Sequence, residues 1–393
     1  MPRGVTLDPT RTGRDADSLM NHLRRLVVGQ DEAIEQIVNI YQTHLAGMNP
    51  SGRPVGSFLF LGPTGSGKTR VVEATAEALV RNPRAVIKID CGEFQHSHEI
   101  AKLIGSPPGY LGHRETHALL SQEALNEHHT ESMKLSFVLF DEVEKASDAL
   151  WNLLLGILDK ATLTLGDNRR VDFSNCMVFM TGNLGAKEMS ALMNPRLGFG
   201  AAARAQAIAD GSENGEDLDG KLKRTVVEAA RRKFTPEFMN RLDKIVTFRP
   251  LGREELKKIV DIELNLVQQR ILGARADRAF IFKVTEDGKK HLLAEGTDTR
   301  YGARHLKRAI ERLVVQPMSN LIATDQIRGG DSISIDYEDG SPAMLFQREA
   351  EGLSHRFMAE ITGNVWVPPM IAATSAIAFT PPEPRSARSS RKA

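Results

Sequence analysis

Eight consecutive residues, Gly62, Pro63, Thr64, Gly65, Ser66, Gly67, Lys68 and Thr69, follow the order G-x-x-x-x-G-K-[ST]. Glycines at this spacing let backbone N–H groups close on phosphate oxygens, and a helix opening directly behind them adds its N-terminal dipole. In that arrangement Lys68 reaches the β- and γ-phosphates of ATP, and the Thr69 hydroxyl ligates Mg²⁺. The apolar run Phe58–Leu61 precedes the loop and a helix-like stretch, Val71–Leu79, follows it. Strand, glycine-rich loop and helix is the context the pattern needs.

A second apolar run, Phe137-Val138-Leu139-Phe140, ends in Asp141 and Glu142. Two adjacent acids at a strand end also suit a solvated turn. Behind a phosphate loop they suit chemistry better: Asp141 holds Mg²⁺, directly or through water, and Glu142 orients and deprotonates the attacking water. A carboxylate in that position argues for hydrolysis of ATP rather than a scaffold that only holds it.

Parallel strands must carry these groups. Ser57–Leu61, Ala85–Ile89, Phe137–Phe140 and Met177–Met180 have the length and the β-branched or aromatic content of buried strands. Helical patterns lie between them, which is the α/β order of a doubly wound nucleotide-binding domain. Residues 1–18 read as a flexible leader, with a helix from Leu19. A second helix spans about Asp31–Gly47, with Ile34, Ile37, Val38, Tyr41 and Leu45 near helical spacing. Residues 19–250 therefore form a large domain, with a mobile Ala/Gly/Asp/Glu-rich insertion near 201–220. Residues 251–340 form a smaller, mostly helical domain that ends in the strand-like Ser332–Tyr337. Residues 341–393 read as a disordered tail, Pro- and Arg-rich at its end.

Charge and cysteine content narrow the function classes. Lys plus Arg number 51 against 50 Asp plus Glu, so there is no global basic field for nucleic acid. Only Cys91 and Cys176 are present, too few for a disulfide framework, which fits a cytoplasmic setting. The first 17 residues show no apolar signal core, and no run approaches the ~18 apolar residues of a membrane span. Six histidines between 96 and 129 crowd one region, but Glu115 is misplaced for a His-Glu-x-x-His zinc pattern, and they read as solvated loop residues.

Several further motifs carry a resemblance. Val27-Val28-Gly29-Gln30, the phosphate loop, Asp141-Glu142-Val143-Glu144-Lys145-Ala146, Leu153–Asp159, Val171-Asp172-Phe173 and Thr181-Gly182-Asn183-Leu184-Gly185-Ala186 occur in that order. Phe234–Asp243 and Tyr301-Gly302-Ala303-Arg304 follow. Over roughly Leu26–Tyr337 this resembles the Clp-type AAA+ unfoldases, especially the second ATPase module of the two-module members. The resemblance implies a P-loop AAA+ domain followed by a small domain, working as a ring, commonly a hexamer, on protein substrates. By position it makes Asn183 the first sensor, which helps place the lytic water. The family usually has Thr-Ser-Asn there, and Gly182 replaces the serine. It makes Arg304 the second sensor and Arg241 the arginine finger of the neighbouring subunit's site, a role that suits a permanently charged, phosphate-matching side chain. Val27 and Val28 would line the adenine pocket.

Gly109-Tyr110-Leu111-Gly112 is similar to the family's pore loop, where an aromatic between glycines grips extended chain. The sequence departs from the family after Gly112, with Thr116 and His117 following Glu115 in place of a Glu-Gly-Gly stretch. Leu197-Gly198-Phe199 resembles the short loop by which some members dock on the Clp peptidase; an exposed loop packing its own Phe fits equally well. A nucleic-acid-remodelling ATPase and a stand-alone disaggregase are the alternatives. The chain shows no adaptor domain or first ATPase module, so substrate selection is expected in the leader, tail, insertion or a separate adaptor.

Overall fold

Every residue of Gly56–Leu61 is buried, as a strand covered on both faces must be, and it forms β1 of a five-stranded sheet. The computed structural model describes residues 8, 11–106, 118–186, 188–189, 215–273, 278–297, 303–341 and 343–362. Val86–Asp90 (β2) and Ser136–Asp141 (β3) follow, then a small antiparallel hairpin, Thr162–Thr164 (β4) with Arg170–Asp172 (β5). Cys176–Gly182 (β6) and Lys244–Thr247 (β7) complete the sheet, in the order β2-β3-β6-β1-β7 with every pair parallel.

Side chains alternate across this sheet with a period of two. Phe58, Phe60, Phe137, Leu139, Met177 and Phe179 face one core, and Leu59, Leu61, Val138, Phe140, Val178 and Met180 face the other. Helices α1 (Arg14–Leu26), α2 (Asp31–Leu45) and α3 (Lys68–Val80) cover the first core with Leu23, Ile37, Val71 and Val72. The helices Asp148–Lys160 and Gly215–Lys233 cover the second with Leu154, Ile157 and Val226. Phe58 stacks on Phe179 and Phe60 tilts against Phe248, each pair with ring centroids 4.9 Å apart. Burying each such ring contributes about 2–3 kcal/mol.

The parallel direction decides where chemistry can happen. β6 lies between β1 and β3, with Leu61 opposite Gly182 and Phe140 opposite Met180. The chain ends leaving these three strands therefore emerge side by side at one edge, where ligands of open α/β sheets bind.

The chain divides into two compact units, Met1–Ile262 with Leu292–Glu311, and Glu263–His291 with Arg312–Ala393. The described part of the second unit is built on a three-stranded sheet. Ile281–Val284 (β8) runs parallel to Ser332–Asp336 (β9), and Leu345–Ala350 (β10) pairs antiparallel with β9. Buried Gln268 closes the entry to β8, donating to the Phe280 carbonyl at 2.9 Å and accepting from the Phe282 N–H at 2.8 Å.

Four boundaries differ from the sequence reading. The first unit runs on to Ile262 and takes in Leu292–Glu311, residues the sequence reading placed in the smaller domain. Helix α1 starts at Arg14, so residues 14–18 belong to it rather than to the leader. Ala16 opens the buried stripe that Leu19 and Leu23 continue, and Asp15 and Asp17 favour the helix start. A small alanine at the head of a stripe gives little apolar signal. The tail reading began too early, because residues 345–350 form β10 and a helix follows at His355–Ile361. β10 is mostly exposed and so lacks alternation, while the helix buries Met358 against Leu272, Ala279 and Ile281. The expected insertion overlaps the helix that begins at Gly215; residues 201–214 and 363–393 lie outside the described residues. Among the described residues no helix is long and apolar enough to cross a membrane.

Candidate nucleotide site

The phosphate loop joins β1 to α3, and its glycines are there for stated reasons. At Gly62, with φ at 151°, a Cβ would sit 2.4 Å from the Phe248 carbonyl oxygen. Gly67, with φ at 97°, caps α3 in the left-handed region and has open space where a side chain would project. Ser66 donates its hydroxyl to the Pro63 carbonyl at 2.8 Å, which closes the loop on itself. The cradle therefore fits phosphate oxygens, with room above a helix N-terminus and backbone that only glycine can supply.

Lys68 lies in the first turn of α3 and is 8% exposed. Its ammonium donates to the Gly62 carbonyl at 2.8 Å, the Pro63 carbonyl at 2.9 Å and Asn183 Oδ1 at 3.1 Å. Burial pulls its pKa down to about 8 against the attraction of Asp141, Glu144 and Glu142, and the Arg304 charge pushes the same way as burial.

The acidic end of β3 is built by a turn at Glu142, whose φ of 55° is unusual for a residue other than glycine. The Glu142 N–H donates to Thr181 Oγ1 at 3.1 Å, and that hydroxyl in turn donates to Asp141 Oδ1. One Glu142 oxygen accepts from Asn183 Nδ2 at 3.3 Å, and the other is ion-paired with Lys145. The Glu142 carboxylate raises the Lys145 pKa in return. Asn183 is thus the hub: Oδ1 accepts from Lys68 and, at 3.4 Å, from Thr64, while Nδ2 faces the candidate base. Loop, acids and sensor, predicted from three separate stretches, meet at one strand edge.

Comparisons with known proteins place the chain in a family. The AAA domain (Cdc48 subfamily) profile matches residues 53–245, and that of the C-terminal, D2-small domain of ClpB protein matches 251–335. The chain belongs to the Clp-type AAA+ ATPases. It is 37% identical over 353 residues to the chaperone protein ClpB of Rhizobium meliloti, covering 88% of this chain and 36% of that protein. It is 36% identical over 328 residues to the ClpC ATP-binding subunit of the Clp protease of Staphylococcus saprophyticus, covering 82% and 37%. A cryo-electron microscopy structure of closed Hsp104 with ATPγS and FITC casein aligns with a TM-score of 0.67 at 29% identity, covering 85% of this chain and 52% of that one. The chain thus spans little more than a third of the length of these curated relatives.

The remaining residues expected in a Clp-type site fall in different places. Thr69 is half-buried on the first turn of α3, and Asp141 is half-buried at the end of β3. Arg304 is exposed in the first turn of the helix Ala303–Ile310, and the Ala303 N–H donates to the Gly65 carbonyl at 3.3 Å. Val27 is buried in the core beside α1 and α2, whereas Val28 is half-buried. Arg241 ends the short helix Pro236–Arg241 and is held by Asp159 at 2.5 Å and Glu237 at 3.5 Å. The expected pore loop, Gly109, Tyr110, Leu111 and Gly112, and the expected docking loop, Leu197, Gly198 and Phe199, lie outside the described residues.

Two contributors to the site went unassigned in the sequence. Buried Gln30 donates to the carbonyls of Ser66 and Arg249, each at 3.0 Å, and accepts from the Arg249 N–H at 3.3 Å. One amide thereby fastens the phosphate loop to the chain that leaves β7. Glu144 accepts the Asn183 N–H at 3.0 Å. Both lie inside motifs read above, but only the folded strand order shows what they touch.

Proposed function

We propose that this chain couples ATP hydrolysis to pulling polypeptide through a ring of its own copies, as a cytoplasmic protein-unfolding ATPase. The carrying observation is the convergence of Lys68, Glu142 and Asn183 at one strand edge. Lys68 and the loop N–H groups bind the triphosphate. Thr69 and Asp141 would hold Mg²⁺, which when bound neutralises charge developing on the phosphates. Glu142 accepts a proton from the attacking water as the water oxygen bonds to the γ-phosphorus. The bond to the β,γ-bridging oxygen breaks, releasing ADP. Asn183 aligns Glu142 and Lys68 on the same γ-phosphate, and Arg304 supplies charge from beside the loop.

Arg241 completes the neighbouring subunit's site in this reading, and its Asp159 partner keeps it oriented until it does so. Tyr110 between Gly109 and Gly112 grips the substrate chain, and Leu197-Gly198-Phe199 docks a Clp-type peptidase where one is present. The two buried, unpaired cysteines accord with a reducing compartment. The test follows loss of fluorescence from a tagged substrate beside ATP turnover for wild type, Tyr110→Ala and Tyr110→Phe. The expected result is turnover kept in all three, with unfolding lost only in Tyr110→Ala, because the ring supplies the contact area. Equal unfolding by wild type and Tyr110→Ala would place the work on another surface.

A further inference from the structure

The turn after β3 carries a second acid that the chemistry above does not use. Glu142 is followed by Val143–Lys145, closed by the Lys145 N–H to the Glu142 carbonyl at 2.9 Å and the Ala146 N–H to the Val143 carbonyl at 3.1 Å. In this tight turn Val143 points into the core, fully buried, while Glu144 points across to β6. Glu144 Oε1 accepts the backbone N–H of Asn183 at 3.0 Å. Its other oxygen is buried and has no hydrogen-bond partner among the described residues. That orphan oxygen lies 3.1 Å from where a Cβ on Gly182 would be, so the residue before Asn183 offers it no hydroxyl.

A buried carboxylate oxygen without a partner is costly and needs an explanation. The place of the base is taken by Glu142, which meets Asn183 Nδ2 and Lys145. What Glu144 does touch is the backbone of the residue on which Lys68, Thr64 and Glu142 converge. Asn183 leaves β6 at its last residue, Gly182, so ladder hydrogen bonds no longer fix it from there on. Of the side chains described, Glu144 supplies the acceptor that fixes its main chain. The same carboxylate also bears on Lys68: burial lowers the lysine's pKa, and Glu144 opposes that together with Asp141 and Glu142.

We propose that Glu144 is a positioning residue for ATP hydrolysis: it anchors the Asn183 main chain so that one amide can face Lys68 and Glu142 together. The inference rests on the reading of Asn183 as the residue that aligns the γ-phosphate chemistry. The hydrogen bond at stake is made to main chain. Removing it misplaces the sensor in the transition state while leaving the phosphate cradle intact, so kcat falls and nucleotide affinity holds.

The experiment measures steady-state ATP turnover and fluorescent-nucleotide affinity for Glu144→Ala, Glu144→Gln, Asn183→Ala and the double variant Glu144→Ala with Asn183→Ala. Glu144→Ala is expected to lower kcat by about tenfold or more with affinity within about threefold of wild type. Glu144→Gln keeps the acceptor and loses the charge, so it should restore turnover to within about threefold. The double variant should be no slower than Asn183→Ala alone, since both changes act through one amide. Glu144→Ala at wild-type turnover overturns the proposal, as does Glu144→Gln as slow as Glu144→Ala, which would assign the effect to charge. If Asn183→Ala itself turns over normally, the reading of Asn183 fails and takes this inference with it. If Asn183→Ala is slow and Glu144→Ala is not, only the role of Glu144 is overturned.

Discussion

Lys68 carries its charge where water barely reaches it, and the loop carbonyls around it cannot replace full hydration. Its pKa near 8 rather than 10.5 has two consequences with definite signs. The unfolded chain binds the extra proton between about pH 8 and 10.5, so the contribution of this group makes the fold more stable as pH rises through that window. Nucleotide binding runs the other way, because triphosphate oxygens restore the charged form. At pH 9 ADP binding should therefore take up close to one proton, and affinity should weaken about tenfold per pH unit above 8. Calorimetry in two buffers of different ionisation enthalpy measures the uptake. No uptake at pH 9 would mean that Lys68 stays charged without a ligand. A second residue-scale test uses Gly182. Ser and Ala there meet the same crowding from Leu61, but only Ser can donate to the orphan Glu144 oxygen. Gly182→Ser should then be more stable than Gly182→Ala by about 1–2 kcal/mol in urea unfolding. Equal midpoints would show that the oxygen finds a partner by other means. At this scale Lys68, Asp141 and Glu142 were legible because each stands at a fixed spacing behind an apolar run. Glu144 and Gln30 were not, because their partners lie 39 and 36 residues away and meet them only through strand order.

Elements were legible in proportion to how fully they are buried. β1, β3 and β6 showed as continuous apolar runs because both of their faces are covered. β7 did not, being four residues long with Lys244 and Ile245 only half-buried. Its place is set by polar chemistry instead. Asp243 accepts from the Ser57 N–H at 2.8 Å and the Ser57 hydroxyl at 2.7 Å, and its own N–H reaches Ser57 Oγ at 3.0 Å. This knot ties the start of β1 to the segment that follows Arg241. Asp243→Ala leaves the buried Ser57 N–H without its acceptor and should cost about 2–3 kcal/mol of stability. Chemical denaturation of the nucleotide-free protein is the measurement, and a loss under ~0.5 kcal/mol would remove the knot from the account. β8 and β10 were missed for a related reason, since short or exposed strands lack the alternation that a half-buried strand displays.

At the scale of the whole molecule, the arginine finger proposed at Arg241 is the feature a single chain cannot complete. Arg241 is paired with Asp159 and Glu237 rather than with the phosphate loop of its own chain. Arg241→Ala should therefore bind ATP yet hydrolyse it at least about tenfold more slowly. Mixed with Glu142→Gln subunits, it should recover activity at junctions where an intact Arg241 meets an intact Glu142. Two inactive variants that never complement each other would mean the arginine acts within its own chain. The composition offers no global basic field to argue for nucleic acid, but no single-chain pattern encodes what a neighbouring copy supplies.

Glu142 is proposed to take the proton from water, held between Asn183 and Lys145. The most direct measurement is ATP affinity beside ATP turnover for Glu142→Gln. The amide can keep the contact with Asn183 but cannot accept the proton. Affinity is expected to stay within about threefold of wild type while turnover falls by about a hundredfold or more. Wild-type turnover by Glu142→Gln would contradict the account.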